Sequence, residues 1–238
     1  MHPDQAELKF YMAYVQKHMA IVDGGAGVGE MALMFSYVGS RVEAFEPDPR
    51  MFRKLKGAFE HHPRGNVFLH ELALSDEVGR AALHMYDDRR MGWSTMADRP
   101  VEEGGVDVEA EQTKVVETTT VDEHCRSHGI NRIGLLKLDV EGSEFPVLRG
   151  AQGMMEAGAI DCISMEYGRT WWDAGYTPDD VEAYLTGHGF EMMNVLHGQP
   201  AFPGREGPYE SRYAIMIAAH EGVVGLVKTI IRFMAETG

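Results

Sequence analysis

The stretch Ile21-Val-Asp-Gly-Gly-Ala-Gly-Val-Gly-Glu30 limits what this chain can fold into more than any other. Ala20, Ile21 and Val22 form a short apolar run that ends in Asp23. Glycines 24, 25, 27 and 29 follow, and Met31 to Phe35 begin a helix-like run. Glycines admit positive φ and let a ligand approach the main chain closely. A strand feeding a helix through such a turn is the nucleotide-binding corner of an open α/β sheet.

The rest of the chain alternates strand and helix signals. Residues 4–19 read as a helix, with Leu8, Tyr11, Val15 and Met19 at helical spacing. Strands are predicted over Ala20–Asp23, Arg41–Phe45, Val67–Ala73, Val115–Thr118, Ile133–Asp139, Asp161–Glu166, Phe190–Leu196 and Arg212–Ala218. Ala81–Tyr86 reads as an added antiparallel strand. Helices are predicted up to Tyr37, where Gly39-Ser40 stops the first. Others run over Pro49–Glu60 (broken by Pro63-Arg-Gly65), Thr120–Gly129, 144–148, 151–157, Thr177–Thr186 and 221–236. The apolar face of the last, Val224, Val227, Ile231 and Met234, reads as core or as the contact of a homodimer. Such alternation implies an α/β fold: a Rossmann-like, doubly wound, mostly parallel seven-stranded sheet. A loop rather than a helix joins the last two strands, which places an antiparallel strand near the sheet edge. One domain over 1–238 is expected: an N-terminal helix (1–19), a core (20–219) and a C-terminal helix (220–238). Two segments resist assignment, a flap over 87–112 and a loop over 197–210.

Charge narrows the ligand. With 37 acidic and 22 basic side chains the formal net charge is −15, which repels a phosphate backbone and argues against nucleic acid. No apolar run reaches membrane-spanning length, and the N-terminus lacks a signal-peptide pattern. Two cysteines without metal spacing fit a reducing, cytoplasmic setting.

A dinucleotide site wants G-x-G-x-x-G. Counting from Gly25, the third position is Glu30; counting from Gly24, the second is Ala26, so both frames fail. Asp23 at the strand end would also repel a pyrophosphate. S-adenosylmethionine carries an ammonium and a sulfonium, and acids at Asp23 and Asp139 suit both charges. Glu46, followed by Pro47, ends the second strand 23 residues after Asp23, where a ribose diol is held in such folds.

Three blocks carry a family resemblance: Asp23-Gly-Gly-Ala-Gly-Val-Gly29, Ala44-Phe-Glu-Pro-Asp-Pro49, and Leu136-Lys-Leu-Asp-Val-Glu-Gly-Ser-Glu-Phe-Pro-Val-Leu-Arg-Gly-Ala151. Together they resemble FkbM-type methyltransferases, class I S-adenosylmethionine-dependent O-methyltransferases of natural-product and glycan pathways. The resemblance runs from about 20 to 196. It departs at Gly27, where the family commonly has Asn. It implies that Asp23, Gly24, Gly25, Gly27, Glu46 and Pro47 line the cofactor site. It also implies that Glu71, Leu72 and Ala73 lie by the adenine, and that Asp139 stands at the methyl-donor end.

A hydroxyl acceptor must lose a proton. Asp139, Glu141 and Glu166 are the candidates to orient or deprotonate it, with His197 beside them; Glu141 is equally readable as a helix cap, the role expected of Glu144. A variant has Asp139 and Glu166 holding a divalent cation such as Mg²⁺. Arg89, Arg90 and Trp93 in the flap suit a polar or anionic small-molecule acceptor. Two other classes compete: an NAD-linked oxidoreductase, and a non-catalytic cofactor-binding protein of the same fold.

Overall fold

Strands covered on both faces carry unbroken apolar runs, because successive side chains point to opposite sides and both must be apolar. Ile21 and Val22 do this, as do Leu135 and Leu136 and the run Ile215-Met216-Ile217. In each, one residue joins the apolar cluster on one side of the sheet and its neighbour joins the cluster on the other. The computed structural model describes residues 1–38, 41–62, 65–103, 106–208 and 211–237. The expected stop at Gly39-Ser40, the Pro63-Arg64 part of the break, residues 104–105 of the flap and residues 209–210 of the later loop lie outside the described residues.

In chain order these residues form α1 (Pro3–Tyr14), β1 (Ala20–Gly24), α2 (Glu30–Val38), β2 (Arg41–Phe45), α3 (Pro49–Phe59), β3 (Val67–His70), β4 (Ala73–Leu74) and β5 (Gly79–Met85). Then come β6 (Glu102–Glu103), β7 (Val106–Asp107), β8 (Gln112–Thr119), α4 (Val121–His128), β9 (Leu135–Leu138), α5 (Glu144–Arg149), α6 (Gln152–Glu156) and β10 (Cys162–Tyr167). The chain closes with α7 (Arg169–Asp173), α8 (Pro178–Gly187), β11 (Phe190–Asn194), β12 (Ala214–His220) and α9 (Val224–Thr237). The main sheet has seven strands in the order β11-β12-β10-β9-β1-β2-β3. All pairs are parallel except those of β12, which runs antiparallel to both β10 and β11. The order reverses between β1 and β9, so the crevice that binds ligands in such sheets opens there, at the carboxyl ends of the strands.

Local chemistry sets the helix starts. Pro49 opens α3, and Asp48 caps it by accepting the Arg50 N–H at 2.8 Å. Thr120 caps α4 through the Glu123 N–H at 3.0 Å, and Gly129 closes that helix in the left-handed region. Thr177 and Asp180 form a reciprocal capping box on α8.

Four expectations shift. First, α1 ends at Tyr14, not residue 19, because the chain turns at Val15 to feed β1. Its buried face is Ala6, Phe10, Tyr11 and Tyr14, packed toward α9 and β12, whereas Leu8 is 39% exposed. Second, β3 stops at His70. Its carbonyl takes the Glu46 N–H, after which Ala73 and Leu74 leave the main sheet to pair with β8. Third, β8 is longer than Val115–Thr118 and pairs antiparallel with β5 from Gln112 to Thr118. The 87–112 segment is therefore the far end of a long β-hairpin stem, with a 3₁₀ turn at Met91–Trp93. Fourth, α7 carries no clear signal in the sequence. The apolar face of α9 is core: Val227, Ile231 and Met234 are buried in the same cluster as α1.

The loop ahead of α6 shows how tightly the elements are set. A Cβ at Gly150 would stand 2.0 Å from the carbonyl oxygen of Ser75. Gly150→Ala should therefore lower stability by about 1–3 kcal/mol through overpacking, read as a lower urea midpoint at unchanged slope. An unchanged midpoint would show that the Ser75 backbone yields freely.

Candidate functional site

The glycine turn and the end of β9 close on each other at the reversal of strand order. Asp139 donates its N–H to the Gly24 carbonyl at 3.0 Å, and a Cβ at Gly25 would lie 1.8 Å from the Asp139 carbonyl oxygen. Gly25 also has φ +75°, so space and conformation both demand glycine. Gly27 has φ +58°, but a Cβ there would meet only the end of the Met51 side chain at 3.6 Å, an ordinary contact, which is why an Asn could stand there.

A cleft of about 690 Å³, its open mouth included, lies over this contact. Gly25, Gly27, Glu46, Pro47, Leu72, Ala73, Asp139 and Glu141 all line it, so most of the residues singled out from sequence come together. Glu46 is fixed by two main-chain donors: Gly27 N–H to Oε2 at 2.9 Å and Asp48 N–H to Oε1 at 2.8 Å. Each oxygen keeps lone-pair capacity for a ligand. Burial pushes the Glu46 carboxyl up to about 7, against those two N–H groups, which favour the charge.

Other expected residues stand elsewhere. Asp23 and Gly24 lie beneath the cleft in β1, and Glu71 points to solvent beside it. His197 follows β11, where Leu196 N–H turns back to Asn194 Oδ1 at 2.8 Å; it faces Met1, Gln5 and Lys9 at α1, away from the cleft.

Under the cleft, Lys137 was not anticipated. It is a cation in the middle of a buried apolar strand, and that oddity was the signal for it. Its Nζ stands 3.5 Å from Asp23 Oδ1 and 3.4 Å from Asp139 Oδ2. Burial works against its charge, but the Asp139 and Asp23 carboxylates outweigh that and keep the ammonium charged. Asp23 is wholly buried, and among the described residues neither of its oxygens takes a hydrogen bond. Glu166, at the end of β10, accepts the Tyr213 hydroxyl on Oε1 at 2.9 Å. Burial, and then the charge of Asp139, pushes it up to about 8.

Glu141 and Glu144 separate cleanly. Glu144 caps its own turn: it accepts the Val140 and Gly142 N–H groups at 3.1 Å and the Tyr176 hydroxyl at 2.9 Å. Glu141 instead faces the cleft. With φ +54° it is a non-glycine residue in the left-handed region, a strained state that its surroundings must hold. The flap does the holding. Thr95 Oγ1 and Arg99 Nε donate to the Glu141 carbonyl at 2.7 and 3.0 Å, and Arg99 Nη2 reaches its carboxylate at 2.9 Å. Burial pushes Glu141 up to about 7 while Arg99 pulls it down. From the flap, Met91, Ser94 and Met96 line the cleft; isolated in an irregular stretch, they gave no sequence signal.

A glycine cradle with no room for a side chain at Gly25, a carboxylate one strand over, and a cleft at the reversal of a doubly wound sheet define a nucleotide-cofactor-binding α/β protein. The cradle and the Asp139 carboxylate at the cleft floor fit a cationic adenosyl ligand better than a pyrophosphate. Comparison with known proteins agrees. The model of the methyltransferase FkbM domain matches residues 23–192, and this chain belongs to that family of S-adenosylmethionine-dependent methyltransferases. It is 29% identical over 210 residues to 31-O-demethyl-FK506 methyltransferase FkbM of Streptomyces tacrolimicus, covering 78% of this chain and 77% of that one. It is 33% identical over 143 residues to Methyltransferase 1 of Beauveria bassiana, covering 55% and 57%. Among solved structures it shares its fold with SMU.1697c of Streptococcus mutans, a methyltransferase-type protein crystallised with S-adenosylhomocysteine. That match has a TM-score of 0.52 at 9% identity and covers 92% of this chain and 98% of that one. An rRNA methylase of Streptococcus thermophilus matches equally well, with a TM-score of 0.52 at 10% identity over 93% and 98%.

The flap's grip on Glu141 is testable. Arg99→Gln should speed hydrogen exchange over residues 94–101 while leaving β1 as protected as before. Unchanged exchange in the flap would mean that its other ties hold it without Arg99.

Proposed function

We propose that this enzyme transfers a methyl group from S-adenosylmethionine to a hydroxyl oxygen of a polar small molecule. The observation that carries this reading is a group of carboxyls at the strand ends: Asp139 and Glu141 line the cleft with the glycine cradle, over the buried ammonium of Lys137, and Glu166, outside the lining, stands within electrostatic reach of Asp139. Two of the three are held near neutral titration, which suits a proton acceptor.

Bound in the cleft, S-adenosylmethionine supplies an electrophilic methyl carbon on a sulfonium. Glu46 would accept the ribose hydroxyls, since its oxygens are already aimed by Gly27 and Asp48. Leu72 and Ala73 would flank the adenine as an apolar wall. Asp139, half exposed at the cleft floor, would face the cationic end. Glu166 would take the acceptor's proton, and Glu141, clamped by Arg99, would orient the hydroxyl. In-line displacement rewards such positioning.

Three observations refine the acceptor and the chemistry. Arg90 is paired with Asp87 and lies over Trp93, Arg99 with Glu141, and Arg169 with Asp173 and Glu102. With those guanidinium groups engaged, a neutral polar acceptor is favoured over a carboxylated one. The net charge of −15 speaks against a nucleic-acid acceptor. A cation bridging Asp139 and Glu166 is disfavoured because Lys137 already sets its ammonium 3.4 Å from Asp139.

Two measurements test this. Glu46→Ala should weaken S-adenosylhomocysteine binding by about 1.5–3 kcal/mol, the worth of hydrogen bonds to a charged group, as read by calorimetry; unchanged affinity removes the ribose assignment. Below about pH 8 the Glu166 carboxyl holds its own proton and cannot accept another. kcat/KM should therefore rise as pH passes upward through that value and level off above it. Glu166→Gln should abolish this limb and lower kcat by about 10²–10⁴-fold. A limb that survives the substitution assigns the base elsewhere.

A further inference from the structure

A second constellation lies behind the cofactor cleft and takes no part in the function proposed above. Glu43 sits in the middle of β2 with its carboxylate fully buried, on the same face of the strand as Phe45. Its two oxygens face different neighbours. Oε1 accepts Arg41 Nε at 2.7 Å. Oε2 meets the Nε2 atoms of His70, the last residue of β3, at 2.7 Å, and of His124, on α4, at 3.1 Å. One ligand-type atom from each of the three residues lies within 4.8 Å of the others. Glu43, His70 and His124 come from three separate elements, so the convergence owes nothing to local sequence.

We propose that Glu43, His70 and His124 form a binding site for a divalent metal ion of the zinc class. Two imidazole nitrogens and one carboxylate oxygen are a donor set for such ions, whereas Ca²⁺ and Mg²⁺ take oxygen donors. Donor atoms in a tetrahedral zinc shell lie about 3.3 Å apart, given metal–ligand distances of about 2.0–2.2 Å. The 2.7 and 3.1 Å separations therefore need to open by only a few tenths of an ångström. In the metal-free network the imidazole Nε2–H groups donate to Oε2. Each ring would ligate the ion through Nε2 as a neutral imidazole: a neutral ring shifts its proton from Nε2 to Nδ1, and a protonated ring releases its Nε2 proton to solvent. Arg41 holds Oε1 and so orients the carboxylate with Oε2 toward the ion, as partners of ligating groups do in metal sites.

The surroundings suit entry. His70 is partly exposed, at 16% of its side chain. His128, one turn along α4, stacks its ring on His124 at 4.1 Å between centroids. Its Nδ1 points to the His124 carbonyl at 3.0 Å, which leaves Nε2 as the ring's other donor atom. Phe45 forms the far wall. Its ring stacks on His70 at 4.7 Å, packs edge-on against His124 at 4.8 Å, and lines the cofactor cleft with its other side. An ion here would tie β2, β3 and α4 together directly behind the cleft, as a structural pin rather than a participant in methyl transfer.

The test uses the full chain, stripped with chelator and dialysed. Cobalt(II) is titrated while its visible d–d absorption is followed, and Zn²⁺ binding is measured by calorimetry. One equivalent of Co²⁺ with a tetrahedral-type band, displaced by one equivalent of Zn²⁺, is expected, with a rise in melting temperature. His70→Gln and His124→Gln, which keep a hydrogen-bonding side chain, should each weaken Zn²⁺ binding at least about tenfold. His197→Gln, exposed after β11 at the opposite edge of the sheet from β3, should not change it. His70 lies at the rim, so its variant keeps the test decisive if the buried His124 variant fails to fold. Absence of the Co²⁺ band in the wild-type chain, or wild-type affinity in His70→Gln, overturns the site and leaves a purely hydrogen-bonded network.

Discussion

Lys137 holds the centre of this molecule. Its ammonium lies buried between Asp23 at the end of β1 and Asp139 just past the end of β9, the two strands that flank the reversal of the sheet. Taking a carboxylate such as Asp23 out of water is costly, and the Lys137 ammonium 3.5 Å away offsets that cost. The same ammonium steadies Asp139, whose backbone closes on the glycine turn so tightly that Gly25 has no room for a side chain. Strand pairing, buried charge and the shape of the cleft floor thus depend on one another. A change to any one of them moves the other two.

Above that floor the acids are held differently. Glu46, Glu141 and Glu166 are each pushed toward neutral titration by burial, and repulsion from neighbouring acids adds to it. Lys137 is paired with Asp23 and Asp139 in the layer beneath, and burial outweighs its pull on the acids above. The site is therefore electronegative but not fully ionised at neutral pH. Such a site can accept either a cationic ligand or a proton, the two things methyl transfer to a hydroxyl requires.

Much of the sheet was legible because its strands are buried on both sides and read as apolar runs. The glycine turn, Glu46 and Asp139 were legible because each marks the carboxyl end of such a run. The phase of α1 was legible only in part. Tyr11 and Val15 are buried as their spacing implied, but Phe10 and Tyr14 share the buried face and Leu8 is exposed. The β5–β8 stem was only half seen, because Gln112, Thr113 and Lys114 are exposed and polar and gain strand character only by pairing with Leu83, His84 and Met85. His197 lay near a strand end in the sequence, but the tight turn after Asn194 carries it toward α1. Lys137 was passed over because its meaning depends on Asp23, which is distant in sequence and adjacent only through the register of β1 with β9.

The flap, the least legible segment, is tied to the most legible residues. Ser94 donates to Asp48 Oδ2 at 2.8 Å, and the N–H of Asp48 is one of the two donors that fix Glu46. One residue on, Thr95 reaches the Glu141 carbonyl. The flap is thus fastened at the end of β2 and again beyond the end of β9, on either side of the glycine cradle. The groups that hold it are the groups that shape the cofactor cleft, so movement of the flap must disturb Glu46, Glu141 or both. Its backbone hydrogen bonds with His84 brace it from behind on the β5–β8 stem. A segment with no regular pattern of its own is in this way given a definite position by side chains whose places the sheet has already set.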